Sequence, residues 1–380
     1  MNMSDAYDVT WLALESAARS VGMVKYGVTT AEPFHTLIPF LERYYQEGRA
    51  TGFEHPMSAL RWDPRTLLPD AKSIIAVAVP YQTEKGRQLQ HPQGRTGIVS
   101  RYAWGQDYHL VIKTQLQQLA SQIANIAGRE VQSLVCVDTS PLVDRAIALR
   151  AGIGWIGKNA LLITKEYGSY VFLGALLVDV TVAPAPVDEF VMDDCGECTL
   201  CMQACPTSAL IEDGVLDGKK CLSGITQIKG MIPETYRSKI GRRIWGCDTC
   251  QTVCPKNRAT LVSMAHAFDP DPALSFPDLK ALLQLSGRQF KAQYGHTAAA
   301  WRGHQVIRRN AIIALANAND QSAVPELIEL LGDPRPEIRG TAAWALHRLN
   351  PERSRHAVHL AWQAENEETA RQEMRWAQDL

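Results

Sequence analysis

Eight of the nine cysteines in this 380-residue chain fall between residues 195 and 254, and their spacing constrains the fold more than any other feature. The first run reads Cys195-x-x-Cys198-x-x-Cys201-x-x-x-Cys205-Pro206. After a lone Cys221, the second reads Cys247-x-x-Cys250-x-x-x-Cys254-Pro255. Two residues between thiolates let successive sulfurs reach three corners of a cube, and the longer gap with its proline turns the chain towards a second cube. Bacterial two-cluster ferredoxins use this spacing for a pair of 4Fe–4S clusters, the fourth cysteine of a run ligating the other cluster. On that pattern Cys195, Cys198, Cys201 and Cys254 are expected on one cluster. Cys221 supplies the cysteine missing from the front of the second run, so Cys221, Cys247, Cys250 and Cys205 are expected on the other. Structural zinc also uses Cys-x-x-Cys hooks, and disulfides need an oxidising compartment; neither accounts for a triple run ending in Cys-Pro.

Thiolates for oxygen-sensitive clusters call for a reducing compartment. The N-terminus, Met-Asn-Met-Ser-Asp-Ala-Tyr-Asp, is acidic and polar, unlike a secretory signal. The longest apolar stretch, 170–187, is broken by Asp179 and two prolines and falls short of a membrane span. The expectation is a cytoplasmic protein with no membrane association. A hydrophobic fraction of 46% with 21% charged residues suits a globular chain, and the length suits two or three domains.

The formal net charge of −1 hides an uneven distribution. Residues 188–217 are acidic. Residues 219–243 carry Lys219, Lys220, Lys229, Arg237, Lys239, Arg242 and Arg243 against one acid, Glu234. Residues 287–309 add Arg288, Lys291, Arg302, Arg308 and Arg309 with no acid, interleaved with Phe290, Tyr294 and Trp301. Most basic stretches are only solvated faces, but aromatic interleaving suits base stacking beside phosphate contacts.

Apolar periodicity predicts helices over 8–21, from Pro33 to Gly48, over 106–127 and over 141–151. Ser73–Val79 has no polar interior residue and reads as a strand buried on both faces. Residues 131–137 read as another strand, and 161–164 with 170–180 as a hairpin. Strands alternating with helices predict an α/β domain over 1–185, joined by Ala183-Pro184-Ala185-Pro186 to a cluster domain over 186–265. Beyond it, Arg309-Asn-Ala-Ile-Ile-Ala-Leu-Ala and Arg339-Gly-Thr-Ala-Ala-Trp-Ala-Leu match in pattern thirty residues apart. That repeat predicts HEAT-like helical pairs within an all-α segment, 275–380.

Gly152-Ile-Gly154-Trp-Ile-Gly157-Lys158 has dinucleotide-loop spacing but follows a helix, and Asn159 replaces a P-loop hydroxyl. It reads better as a turn that lets backbone approach a bulky cofactor. Asp138 follows the strand Leu134-Val-Cys-Val. It is either the cap of the helix near Pro141 or a proton donor facing a cofactor. Asp107 reads as an N-cap, and Cys136 as a core residue.

Taken together, Arg-Tyr-Ala-x-Gly-x-Asp-Tyr-His (101–109), Val-Asp-Thr-Ser-Pro (137–141), Ala-Gly-Ile-Gly-Trp-Ile-Gly-Lys-Asn (151–159), the two cysteine runs and Gly-Cys-Asp-Thr-Cys-Gln (246–251) resemble the epoxyqueuosine reductase family over essentially the whole chain. The resemblance implies an α/β cobalamin-binding domain of reductive-dehalogenase/nitroreductase type, a ferredoxin-like domain with two 4Fe–4S clusters, and HEAT-like repeats. It implies reduction of epoxyqueuosine to queuosine at the wobble position of tRNA, with Asp138 as proton donor. Arg61, Arg101, Asp138, Ser223, Cys247 and Asp248, with Lys158 added, are expected around cobalamin. Lys229, Arg302, Arg308 and Arg309 are expected on the anticodon stem. The implied partners are that tRNA and an external low-potential donor of flavodoxin or ferredoxin type, the chain itself being a monomer. Asp107-x-His109 lacks the glycine of the cobalt-ligating Asp-x-His-x-x-Gly motif, Ile112 standing in its place, so His109 is left for substrate contact or structure. A proton-donating Asp138 is expected to be neutral, burial disfavouring its charge. The alternative is a dehalogenase-like cobalamin and iron–sulfur reductase of a small molecule. It lacks a use for the repeats.

Overall fold

A computed structural model describes residues 7–92, 94–186 and 195–378. Most of the N-terminal octapeptide and the start of the acidic stretch, 187–194, lie outside the described residues. The chain divides into two compact units, each assembled from three stretches. The first takes Met1–Glu84, Gln106–Lys219 and Thr249–Phe268; the second takes Lys85–Gly105, Lys220–Asp248 and Asp269–Leu380. The cysteine-rich run is therefore shared out between the units.

The first unit is built on four strands, β1 (Tyr26–Thr30), β2 (Ser73–Pro80), β3 (Ser133–Cys136) and β4 (Val171–Val178), in the order β1-β2-β4-β3 with every pair antiparallel. All of β2 is buried, as a strand without polar interior residues requires. Side chains alternate across a strand. Ile74, Ala76 and Ala78 meet Ile147 and Ala148 of helix Asp144–Arg150 on one face. On the other face Val77 and Gly174 lie against Ile112 and Leu116 of helix Tyr108–Ala127. That long helix buries Ile112, Leu116, Leu119 and Ile123, a three-to-four-residue spacing along one stripe. Asp107 caps its start and the left-handed Gly128 ends it. Burial of each such side chain contributes about 1.5–3 kcal/mol. Helix Trp11–Ser20 opens on the Thr10 cap. The helix expected from Pro33 begins as a 3-10 turn, His35–Leu37, and runs Ile38–Gln46.

The hairpin expected from 161–164 and 170–180 does not form. Leu162–Ile163 pairs instead with Trp155–Ile156, while β4, too apolar to leave an edge exposed, inserts between β2 and β3. The same pairing explains Gly154 and Gly157. A Cβ on Gly154 would stand 2.1 Å from the Ile163 carbonyl oxygen, so that glycine admits neighbouring backbone, and the cofactor-turn expectation is corrected.

In the second unit, Arg243–Trp245 pairs with Ile98–Val99, and helices His304–Asn317, Pro336–Leu349 and Glu368–Met374 pack in succession. Asn310 donates to the carbonyls of Thr226 and Ile244 at 2.7 and 2.8 Å, and Asn317 to those of Arg237 and Gly241 at 2.7 and 2.9 Å. These amides satisfy backbone acceptors that the strand and turn leave open.

Candidate active site

In the first unit, Asp138 sits just past the end of β3, at the centre of a three-residue turn in which the Thr139 N–H donates to the Val137 carbonyl. Its φ is +51°, a backbone state that costs energy for a side-chain-bearing residue and concentrates at functional sites. The alternative reading as a helix cap fails, because helix Asp144–Arg150 begins at Val143 without a side-chain cap. The Asp138 side chain is 62% exposed, so the turn presents its carboxylate to a reactant.

Three groups surround that carboxylate. The Tyr108 hydroxyl donates to Asp138 Oδ2 at 2.9 Å, and His109 Nε2 lies 3.2 Å from the same oxygen. His109 Nδ1 lies 2.7 Å from Asp107 Oδ1, which also accepts the His109 N–H as the helix cap. Burial alone would lower the His109 pKa, but its bonds to Asp107 and Asp138 outweigh it and raise the value to about 9. Burial pulls Asp138 the other way, yet the bonds from His109 and Tyr108 hold it below the usual carboxylate range. Both directions agree: these contacts favour a charged imidazole beside an ionised Asp138.

Behind the turn, burial and the neighbouring Asp138 charge push Asp144 up to about 7. Arg61 donates to the Pro141 carbonyl at 3.0 Å. Buried Arg61 Nε and Asp144 Oδ1 have no hydrogen-bond partner. Unsatisfied buried polar atoms call for a ligand or water, and they fit a large, amide-rich cofactor on this side of the turn. Sequence reasoning passed over Tyr108 and Asp144; their place in the Asp-Tyr-His and Pro-x-x-Asp stretches was the available signal.

Elsewhere in the same unit, Cys195, Cys198, Cys201 and Cys254 line one cavity with Ile163, Leu200 and Pro255. Trp155 packs beside Cys195 and Cys254. Among the described residues no three His, Cys, Asp or Glu side chains converge as ligands of a single ion would. Four thiols spread around an apolar cavity fit a polynuclear cluster. Burial pushes the Cys201 and Cys254 thiols up, and the like charge of Cys195 adds to it; bound iron would reverse both. Lys158 lines this cavity and pairs with Asp213 at 3.2 Å, which places it with the cysteines. Cys205, whose sulfur accepts the Ala209 N–H at 3.3 Å, and Cys250, packed near Leu210, also belong to this unit. None of the nine cysteines is paired in a disulfide.

The second unit holds Cys221, Cys247, Arg101, Ser223 and Asp248. Asp248 accepts from the Ser100 hydroxyl and from the Arg101 N–H at 2.9 Å, and burial pushes its carboxyl above the ordinary range. Arg101 donates to the Gly86 carbonyl at 2.9 Å and lies over Trp104. Ser223 is half-buried in helix Leu222–Ile225. Gly246, at φ +69°, precedes Cys247; a Cβ there would stand 2.5 Å from Ser100 Cβ.

The basic segments of this unit separate sharply. Lys229 is exposed, and Trp301 is 55% exposed with Arg302 3.8 Å above its ring. Trp301 Nε1 donates to Gln227 Oε1 at 2.8 Å, which pins the indole. Arg309 is instead 1% exposed and bonded to backbone carbonyls, so it does not reach a phosphate. Arg308 is tied to Asp333 at 2.9 Å. Phe290 and Tyr294 are buried against each other rather than offered to bases. Those expectations are corrected: helix Gly287–Tyr294 buries Phe290 and Tyr294, helix His304–Asn317 buries Arg309, and Arg308 is half-buried against Asp333.

Comparison with known proteins gives a consistent picture. The family model described as "Epoxyqueuosine reductase QueG, DUF1730" matches residues 61–139, a "4Fe-4S double cluster binding domain" matches 194–257, and "HEAT repeats" match 298–377. An epoxyqueuosine reductase of Bacillus cereus is 46% identical over 360 residues, 94% of this chain and 93% of that one. A crystal structure of epoxyqueuosine reductase with a tRNA-Tyr epoxyqueuosine-modified stem loop is 42% identical, covers 96% of both chains and superposes with a TM-score of 0.91. The structure from Streptococcus thermophilus is 38% identical, covers 99% and 98%, and gives a TM-score of 0.88.

Proposed function

The chain belongs to the epoxyqueuosine reductase family, and from that premise we propose that it reduces epoxyqueuosine in tRNA to queuosine, with two 4Fe–4S clusters and cobalamin as cofactors. The observation that carries the reading is the match, over nearly the whole chain, to the structure with an epoxyqueuosine-modified stem loop. The geometry supports it with an exposed acid site on a strained turn and a four-thiol cavity, both in the first unit.

The reaction takes up two electrons and two protons, converts the epoxide to an alkene and releases its oxygen as water. When bound, the clusters would relay single electrons and cobalamin would supply the strongly reducing centre. Cys195, Cys198, Cys201 and Cys254 hold the first cluster, and Lys158 and Lys256 on the same cavity offset its negative charge. Cys205, Cys221, Cys247 and Cys250 hold the second by the ferredoxin pattern. Arg61, the Asp138 turn, Arg101, Ser223, Cys247 and Asp248 are the candidates for holding cobalamin. Arg101 and Asp248 act there by fixing their own loops, since protein groups already engage them.

Asp138 is the proton donor. An alkoxide leaves poorly, so breaking the carbon–oxygen bond demands proton delivery to that oxygen, and Asp138 is the accessible acid on the turn. Lys229, Arg302 and Trp301 grip the anticodon stem-loop. Electrons come from a low-potential flavodoxin- or ferredoxin-type carrier, and the chain works as a cytoplasmic monomer. Among the described residues no helix is long and apolar enough to cross a membrane.

The test is anaerobic turnover of tRNA carrying epoxyqueuosine by cluster-replete protein under strong reductant, with and without cobalamin. Digested nucleosides are read by mass. Cobalamin-dependent loss of one oxygen is expected; no loss with all cofactors bound overturns the reading.

A further inference from the structure

We propose that the proton delivered by Asp138 is stored on His109, which Asp107 holds in place, so that the acid of this site is a three-residue chain rather than one carboxyl group. The proposal rests on the reading above that the site deoxygenates an epoxide.

Geometry comes first. Both ring nitrogens of His109 face carboxylate oxygens: Nδ1 lies 2.7 Å from Asp107 Oδ1 and Nε2 lies 3.2 Å from Asp138 Oδ2. An ionised carboxylate only accepts, and a neutral imidazole carries a single N–H. One of the two contacts would then set lone pair against lone pair. Between two ionised carboxylates only the doubly protonated ring satisfies both, and turning the ring over does not change that. The preference for charge agrees with the raised His109 value of about 9.

Each neighbour of the ring serves the same end. Asp107 is fixed as the cap of helix Tyr108–Ala127, so the imidazole enters the site at a set angle. Tyr108 stacks on His109 with centroids 4.1 Å apart and donates its hydroxyl to Asp138. Tyr108 also stacks on Phe172 of β4, 4.2 Å away, which brings no charge. Asp144 faces Asp138 from the start of the next helix, with Arg61 and Arg145 balancing it. The charges bearing on His109 are thus those of Asp107 and Asp138.

The proton inventory then closes. The reaction needs two protons for each oxygen lost as water, while Asp138 at rest is a carboxylate and holds none. Transfer from His109 Nε2 makes Asp138 a carboxylic acid, which passes its proton to the epoxide oxygen as the carbon–oxygen bond accepts electrons from the reduced cofactors. His109, 29% exposed, is recharged from water and the chain delivers the second proton by the same route. His109 acts through Asp138 and is a positioning residue that also carries charge.

Two measurements on cofactor-loaded protein test this. The first is an NMR titration of isotope-labelled histidine, resonances assigned by His109→Gln. His109 is expected to titrate near 9, and to fall towards the ordinary value of about 6.5 in Asp107→Asn. The second is the pH profile of single-turnover deoxygenation with reductant in excess. His109→Gln should slow the reaction about 100-fold or more at neutral pH and move its basic limb down by several pH units, because the remaining acid is an ordinary carboxyl group. Asp107→Asn should move the limb down less. A merely structural histidine would slow the reaction without moving the limb. A wild-type limb retained in His109→Gln, or a His109 titrating at or below 6.5, overturns the proposal while leaving the functional reading standing. A wild type that converts no epoxide overturns both.

Discussion

Replacing Arg309 with alanine separates a structural cation from a nucleic-acid contact. The guanidinium is 1% exposed and donates to the carbonyls of Ile228, Gly230 and Thr226 at 2.7, 2.5 and 3.4 Å. It also donates to Asn310 Oδ1 at 2.9 Å. Burial pushes its pKa down to about 9, so it stays charged at neutral pH. Arg309→Ala takes the donor from the part-buried Ile228 and Gly230 carbonyls, each costing about 1–3 kcal/mol, while Thr226 keeps its bond from Asn310, and it opens a cavity. The sum is a loss of about 3–5 kcal/mol. With a urea slope of about 2–3 kcal/mol/M, the unfolding midpoint of this unit should fall by about 1–2 M. Followed by circular dichroism, that shift is directly measurable. Under conditions where the variant remains folded, the slope of log affinity for tRNA against log salt should be unchanged. A lost phosphate contact would reduce that slope by about 0.7–0.9. A midpoint within 0.3 M of wild type (about 1 kcal/mol at that slope), or a slope reduced by a full contact, would show that the guanidinium reaches solvent and the burial argument is wrong.

Cys254→Ser should deplete the same cluster as Cys201→Ser, and Cys205→Ser the other; iron analysis and electron paramagnetic resonance would show two distinct losses, and identical spectra from Cys205→Ser and Cys201→Ser would sink the exchange of fourth ligands. Trp301→Ala should weaken binding of the anticodon stem-loop by about 1–3 kcal/mol, as loss of one stacked base does, with cluster content unchanged; undiminished binding would remove Trp301 from the RNA surface. His109 also makes stability depend on pH. Its folded pKa is raised from 6.5 to about 9, so its contribution is fully present below the unfolded value and is lost as pH rises towards 9. The difference in urea midpoint between wild type and His109→Gln should therefore shrink between pH 6.5 and pH 9; a constant difference would contradict the assignment of charge to the ring.

Local pattern was enough for what local chemistry decides. The apolar run 73–79 became a strand buried on both faces, because a segment with no polar side chain has no face to give to water. The helix 106–127 and the helical repeats followed from periodicity. Its place after a strand singled out Asp138 as a candidate, either helix cap or proton donor. Its protonation state was not legible there, since it depends on Tyr108 and His109, which lie 30 and 29 residues away along the chain. The glycines of 152–157 looked like a cofactor turn because sequence shows small residues without showing what approaches them; the Ile163 carbonyl does.

The arginines of 302–309 make the same point most plainly. Composition marked a basic, aromatic stretch, and stacked helices then assigned opposite fates to neighbours, leaving Trp301 half in water and closing Arg309 over a row of carbonyls. Residue type and short spacing carried the chemistry: a cysteine pattern for two clusters, an acid after a strand, a repeat of helices. Which charges face solvent was settled by packing, because a charge's partners and its distance from water are set by segments far away in the chain.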